Sequence, residues 1–224
     1  DAFIAKFNGY GKRLWGTYFG GTHIDYASGI CIDNQDNLFV VGTTRSTSGI
    51  ASNNGQQTTF NGDNDAFLVK FNQNGYRIWG TYFGGSNRDI GNSVAMDKNG
   101  NIYIAGETQS TSDIATNNSF KTKYSGNRDA FLAKYNNLGI LLWSTYFGDT
   151  GLDRAYAVTT DNSNNIIIAG ITQSIYDIST DFVHQTEFGG GLGDGFLTKF
   201  DVEGNLVWST YYGGTLEDEI RDAK

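Results

Sequence analysis

Side chains able to do acid–base or nucleophilic chemistry are few in this sequence. His23 and His184 are its two imidazoles, and they lie in loop-like segments at unrelated positions. Cys31, the one cysteine, falls within a run of small apolar residues and is predicted to be a buried side chain rather than a nucleophile. Because these residues form no catalytic arrangement, the sequence predicts a protein that is not an enzyme.

Seven aspartates recur in two settings that suit either a turn or a cation. Their positions are Asp25, Asp89, Asp153 and Asp218 after Gly-rich segments, and Asp33, Asp97 and Asp161 at the start of short loops. Carboxylate oxygens bind Ca²⁺, and the second setting resembles half an EF-hand loop without its distal Glu. Equivalent aspartates are expected to lie too far apart to share one ion. We therefore predict that they cap backbone N–H groups at turns, with calcium as the alternative.

Two other features point to ligands less directly. Residues 189–193 are rich in glycine, but no helical pattern follows them, and a phosphate cradle needs the N-terminus of a helix. Glu217 and Asp218 are adjacent carboxylates near the end of the chain. A glycosidase needs two carboxylates about 5 to 9.5 Å apart in one pocket. A polysaccharide-processing enzyme or accessory domain therefore stays open as an alternative function.

The elements that carry these residues repeat along the chain. DAFIAKF at Asp1 returns as DAFLVKF at Asp65, DAFLAKY at Asp129 and DGFLTKF at Asp194. One tryptophan recurs in the same register in every copy: Trp15, Trp79, Trp143 and Trp208. A third motif, VAMDKNGNIYIAG and its two relatives, occurs three times. Repeat units therefore begin near residues 1, 65, 129 and 194, and the fourth unit is incomplete.

Each unit is predicted to form four short β-strands. In DAFLVKF, Phe67, Val69 and Phe71 alternate with residues that point to the other side, which is the period of a strand. Gly-containing segments such as residues 72–75 and 97–101 are typical of hairpin turns. No segment has a helical period of useful length, so the sequence predicts an all-β protein.

Four all-β architectures fit short strands: a sandwich, a closed barrel, a solenoid and a propeller. A fixed repeat of about 64 residues with four strands favours a propeller blade. The VAMD-type strand is small and apolar, so we expect it innermost, followed by the IYIAG-type, DAFLVKF-type and Trp-containing strands. The chain then begins at a third strand and reaches another first strand at residues 219–221. These three and a half blades, residues 1–224, are expected to be one segment of a larger ring.

Composition excludes several classes of protein. The formal net charge is −8, and the pI of about 4.6 argues against nucleic-acid binding. No run of 18 apolar residues exists, so membrane insertion is not expected. The apolar content is too high for a disordered chain, and one cysteine excludes an internal disulfide framework. The N-terminal DAFIAKF lacks the basic region of a signal peptide.

The repeat resembles the SBBP family of bacterial β-propeller repeats, whose motif runs DAFxxKxNxxGxxxWSTYxGG and then DxAxxIAVDxxGNxYVxGxTxS. The TxS ending matches residues 44–46, 108–110 and 172–174, while the absence of Pro and Asp149 in place of a Gly depart from the motif. The resemblance implies a seven-bladed propeller, secretion to the cell surface of a Bacteroidota-type bacterium by a type IX route, and no enzymatic activity or catalytic residues.

The long connections between second and third strands are the variable parts of the repeat. Loops on a rigid scaffold are common sites of recognition. Phe60, Tyr124 and Phe188 align between copies and are expected to pack onto their own blades. The repeated tryptophans are expected to pack between blades. Tyr176, Phe182 and His184 break the repeat, and we predict that these three residues contact a ligand.

These features together predict a non-catalytic scaffold or adhesion module of a secreted bacterial protein. Its expected partners are a protein or glycan at the cell surface, and the remainder of a longer chain or a second copy that closes the propeller. No cofactor is expected. A structural spacer or assembly subunit of a larger surface complex is the remaining alternative.

Overall fold

The computed structural model describes residues 1–224 and contains fourteen β-strands and no helix. The strands are β1 (Ala2–Phe7), β2 (Arg13–Phe19), β3 (Asp25–Ile32), β4 (Leu38–Thr44), β5 (Asp65–Phe71), β6 (Arg77–Phe83), β7 (Asp89–Met96), β8 (Ile102–Thr108), β9 (Asp129–Tyr135), β10 (Leu141–Phe147), β11 (Asp153–Thr160), β12 (Ile166–Thr172), β13 (Asp194–Phe200) and β14 (Leu206–Tyr212). The all-β prediction is therefore confirmed. No helix is present that is long and apolar enough to span a membrane.

The strands form propeller blades in the order that the repeat predicts. Strands β3–β6, β7–β10 and β11–β14 are three antiparallel four-stranded sheets in which consecutive strands are neighbours, and β1 and β2 form a two-stranded sheet. The strands β7 and β11 lie side by side, and β7 also contacts β3, so the VAMD-type strands are innermost. The three sheets are complete blades, and we number them one to three in chain order.

One predicted strand does not form. Residues 219–221 lie in no strand, although the Ile220 N–H donates a hydrogen bond to the Gly170 carbonyl over 3.2 Å. A strand needs a hydrogen-bonded neighbour, and the equivalent strands β3, β7 and β11 each pair with the strand that follows them. Residues 1–224 contain no strand after β14 with which residues 219–221 could pair.

The hydrophobic core lies between the sheets. At each interface a Phe of the fourth strand packs against a Phe of the next blade's third strand. The three pairs have ring centroids about 5 Å apart: Phe19–Phe67, Phe83–Phe131 and Phe147–Phe196. Strands β4, β5, β8 and β9 are buried along their whole length. The core therefore depends on one blade stacking on the next, as in other repeat proteins.

Three of the four tryptophans join their sheet to the following one. The Trp79 indole N–H donates to the carbonyl of Asn137 over 3.2 Å, in the hairpin that joins β9 to β10. In that hairpin Gly139 has φ of 80°, and a Cβ there would lie 3.0 Å from the Trp79 ring. Trp15 and Trp143 repeat the hydrogen bond to Gln73 and Val202. Glycine is thus required both by the backbone conformation and by the close approach of the indole.

Candidate functional site

The aspartates after the Gly-rich segments organise the corners between blades. Asp89 accepts hydrogen bonds from the Gly85 N–H (2.8 Å), the Ser110 hydroxyl (2.8 Å) and the Thr108 hydroxyl. Asp25 and Asp153 make the equivalent contacts, and Asp218 accepts from the Gly214 N–H over 2.8 Å. The TxS ending of the motif therefore supplies the hydroxyls that hold the corner aspartate. No cluster of three or more His, Cys, Asp or Glu side chains has the arrangement of a metal site.

A second aspartate is buried beside each corner. Asp65, Asp129 and Asp194 are fully buried, and one carboxyl oxygen of each has no hydrogen-bond partner. Burial raises the pKa of Asp65 and of Asp129 to about 7, the latter in spite of Lys121 Nζ 3.2 Å away. Burial also raises the pKa of Asp89 to about 6. Because the arrangement recurs in every blade, we interpret these carboxyl groups as protonated side chains with a structural role at the corner.

The aspartates that open the second hairpins are turn residues. Asp97 Oδ1 accepts the N–H groups of Asn99 and Asn101, each over 2.9 Å. Asp33 and Asp161 do the same in their own hairpins. This is the geometry of an Asx turn, in which an aspartate side chain bonds the backbone two residues on.

The aligned loop aromatics pack onto their blades, as predicted. Phe60, Tyr124 and Phe188 each meet a buried tyrosine of the fourth strand edge-on, with centroids 6.1 Å apart. The partner tyrosines are Tyr82, Tyr146 and Tyr211. These loops are therefore fixed to the sheets rather than free in solvent.

The predicted ligand-contact residues are only partly brought together. Phe182, which is fully exposed, and His184 line a cavity of 750 Å³ with Trp208. Tyr176 is 67% exposed and does not line it. The position of His184 corresponds to that of Phe120, whose ring lies 5.8 Å from Phe200 of the next blade. The cavity therefore lies on the surface of the third blade that corresponds to the one by which the second blade contacts the third.

The other candidate residues stand apart from one another. His23 is exposed, and its Nδ1 lies 2.9 Å from the Thr22 hydroxyl. Burial raises the pKa of the Cys31 thiol to about 12, which leaves it unreactive at neutral pH. In residues 189–193, the Gly189 N–H donates to Asp194 over 2.5 Å, and no helix follows. None of these residues shares a pocket with another candidate.

Near the propeller axis, a group of charged residues departs from the repeat. Glu107, at the end of β8, is only 4% exposed and accepts from Arg154 Nε over 2.5 Å and from Arg128 Nη1 over 3.3 Å. Arg88 Nη1 lies 3.6 Å from the same carboxylate. The residues equivalent to Glu107 are Thr43 and Ile171, so this charge belongs to one blade alone. We call Glu107, Arg88, Arg128 and Arg154 the axial cluster.

The axial cluster carries an excess of positive charge on an acidic protein. Three arginines face one glutamate, which gives a local charge of +2 against −8 for the chain. Burial lowers the pKa of Arg154, but the Glu107 carboxylate outweighs this and raises it overall. Arg154 also donates to the Tyr156 hydroxyl over 2.9 Å. Such a concentration of guanidinium donors is suited to binding carboxylate or phosphate groups.

Sequence reasoning missed the axial cluster although a signal for it was present. Each of its residues replaces an uncharged or differently charged residue of the other copies: Arg88 stands where Ile24, Leu152 and Glu217 stand elsewhere. Glu107 and the three arginines are therefore among the charged residues that differ between copies.

Comparison with known proteins agrees with this architecture. The SBBP family, described as a beta-propeller repeat, matches residues 14–49 and 78–113. An uncharacterized WD repeat-containing protein of Acanthamoeba polyphaga mimivirus is 27% identical over 256 residues, which cover 96% of this chain and 18% of the viral protein. The chain thus spans less than a fifth of that relative's length. Two segments of this chain thus match the SBBP β-propeller repeat, and they lie within a structure built of repeated antiparallel sheets.

Proposed function

We propose that this propeller segment is a non-catalytic binding scaffold whose contact surface is the face that carries the blade corners and the long loops. The observation that carries the proposal is that recurring residues and non-recurring charged residues have different places in the structure. Those that recur in every copy build blades, corners and turns, while the charged residues that depart from the repeat gather at the corners. A binding surface needs such a departure from symmetry if it is to recognise one partner.

The proposed partner is a protein or glycan. Tyr176, Phe182 and His184 supply exposed aromatic rings on the long loop of the third blade, and the axial cluster supplies guanidinium groups. Aromatic and arginine side chains are the types that contribute most energy to binding surfaces. Several copies of such a surface would add weak contacts into strong overall attachment.

We further propose that the parent protein acts at a bacterial cell surface. The match to the SBBP repeat supports this location, and the adhesion role would follow from it. Labelling intact cells of the source organism with an antibody against this chain should stain their surface. Staining that requires prior permeabilisation would contradict the location.

The binding role is tested by presenting the chain to an array of neutral glycans, acidic glycans and peptides, with release of reducing sugar measured in parallel. We expect binding without turnover, lost when Tyr176, Phe182 and His184 are all changed to Ser. The matched control is Leu138→Ser, since Leu138 is exposed on a hairpin at the opposite end of the blades. Turnover of a polysaccharide, or binding that depends on Leu138 instead, would overturn the proposal.

A further inference from the structure

A cavity of 740 Å³ lies between the first and second blades, on the same face as the axial cluster. Its polar lining includes Tyr26, Thr43, Arg45, Asp63, Asn64 and Arg88. Arg45 stands where the other two copies carry Gln, and Arg88 is a member of the axial cluster. The cavity therefore belongs to the part of the molecule in which the repeats differ.

Two of the polar side chains at this cavity are Thr43 and Arg88. Thr43 is 8% exposed, and its hydroxyl is buried without a hydrogen bond. Arg88 reaches its nearest carboxylate, Glu107, only at 3.6 Å, which is longer than a hydrogen bond. A guanidinium carries five N–H donors, and the Arg88 side chain is 38% exposed. The cavity thus presents N–H groups of Arg88 to whatever enters it.

The neighbouring blade carries a carboxylate at the position that corresponds to Thr43. Glu107 is the counterpart of Thr43 in the strand register, because Thr43 pairs with Tyr26 and Ala66 as Glu107 pairs with Ile90 and Ala130. In the second blade the chain itself therefore supplies a carboxylate among arginines. In the first blade the shorter Thr43 leaves that carboxylate out, and the arginines that line the cavity are instead Arg45 and Arg88.

The local charge favours an acidic ligand. Two arginines, Arg45 and Arg88, and one exposed acid, Asp63, line the cavity, which gives its lining a net charge of +1. Arg45 Nε donates to Asn64 Oδ1 over 2.6 Å, so its guanidinium is held at the cavity wall with further N–H groups available. Tyr26, which is 64% exposed, adds an aromatic ring against which an apolar sugar face can pack.

We propose that this cavity binds the carboxylate of an acidic sugar, with Arg45 and Arg88 as its charged partners and Tyr26 against the ring. The proposal rests on the proposed function, since it names the ligand class of the same face. Asp63 opposes the ligand at the rim of the cavity. Its removal in Asp63→Asn is therefore expected to strengthen binding.

The test is titration of the full chain with methyl β-D-glucuronide while the Arg Nε–H resonances are followed by NMR. We expect saturable shifts at Arg45 and Arg88, and none with methyl β-D-glucoside, which has the same ring without the charge. Thr43→Glu supplies the chain's own carboxylate, as in the second blade, and should weaken binding at least tenfold. Arg45→Gln should do the same if Thr43→Glu does not fold, because Arg45 is exposed. The matched control is Arg13→Gln, an exposed arginine at the other end of the blades.

Four results would overturn the proposal: no saturable shift at Arg45 and Arg88, binding unchanged in both Thr43→Glu and Arg45→Gln, equal binding of N-acetylglutamate amide, or equal binding of inorganic phosphate. Equal binding of N-acetylglutamate amide would point to an acidic peptide instead. Array binding that survives in Arg45→Gln would leave the proposed function standing without this cavity. Binding of methyl β-D-glucuronide together with no binding on the array would support this cavity as a site and contradict the proposed function.

Discussion

At the scale of single residues, the least expected feature is the pair of carboxyl groups at each corner. Asp65 and Asp89 lie on either side of Gly84, where a Cβ would fall within 3 Å of both side chains. Burial raises both pKa values, and one oxygen of Asp65 has no partner. In this buried environment, a pair with one protonated, neutral carboxyl group is more stable than two adjacent negative charges.

The protein is therefore expected to lose stability as the pH rises. Asp65 and Asp129 hold a proton up to about pH 7, whereas an unfolded aspartate loses it near its ordinary value of 3.8. Between those values the folded chain binds more protons than the unfolded chain, so the free energy of unfolding falls with increasing pH. Urea denaturation between pH 5 and pH 8 should show a decreasing midpoint.

The double variant Asp65→Asn/Asp129→Asn should flatten that dependence, because an amide resembles the protonated acid and cannot ionise. Asp181→Asn, at an exposed position, is the matched control and should keep the original slope. A midpoint that rises from pH 5 to pH 7 in the original chain would contradict this account of the corners.

Glu107 is expected to contribute to stability as the one counter-charge of three arginines. Glu107→Gln leaves the guanidinium groups without a carboxylate, and a loss of about 1–3 kcal/mol follows for a hydrogen-bonded charged group. Added salt should recover part of the loss, since the arginines are partly exposed. The control Glu203→Gln changes an exposed glutamate. An equal loss of unfolding free energy in both variants would show that the axial cluster does not contribute to the stability of the fold.

At the scale of elements, the hairpins between third and fourth strands are both turns and docking surfaces. Gly139→Ala places a side chain at positive φ and against the Trp79 ring. The left-handed conformation alone costs about 1–2 kcal/mol for an L residue, and the contact with Trp79 adds to it. Gly9→Ala is the control, because a Cβ there meets no atom within 4 Å. Equal midpoints of the two variants in urea would contradict the role of the hairpin in docking.

The elements could be predicted from the sequence, whereas the axial cluster could not. Alternation in DAFLVKF and the fixed spacing of the tryptophans recur in every copy, so each copy supports the prediction from the others. Arg88, Glu107, Arg128 and Arg154 each occur once, at separations of 19 to 26 residues. They meet because corners of successive blades converge near the axis, and that convergence follows from the stacking of sheets rather than from local pattern. The strand predicted at residues 219–221 is absent for a related reason, since strand formation depends on a hydrogen-bonded neighbour.

At the scale of the whole molecule, stability is expected to be greatest in the middle of the stack. Strands β8 and β9 are completely buried and have a sheet on either side, whereas β1 and β2 pack on one side only. In repeat proteins each unit is stabilised by its neighbours. Hydrogen exchange followed by mass spectrometry should find the slowest amides in β8 and β9 and the fastest strands in β1 and β2. Uniform protection along the chain would instead mean that the blades unfold as one unit.

The contact between a tryptophan and the next hairpin gives the stack a direction. Each blade offers an indole donor on one side and a carbonyl with a turn glycine on the other, so two blades join head to tail and never head to head. Whether blades joined in this way close into a ring or form an open helix depends only on the rotation from one blade to the next. A duplication or loss of one whole 64-residue unit would therefore preserve every joint, and evolution can change the number of blades without redesigning the surface between them.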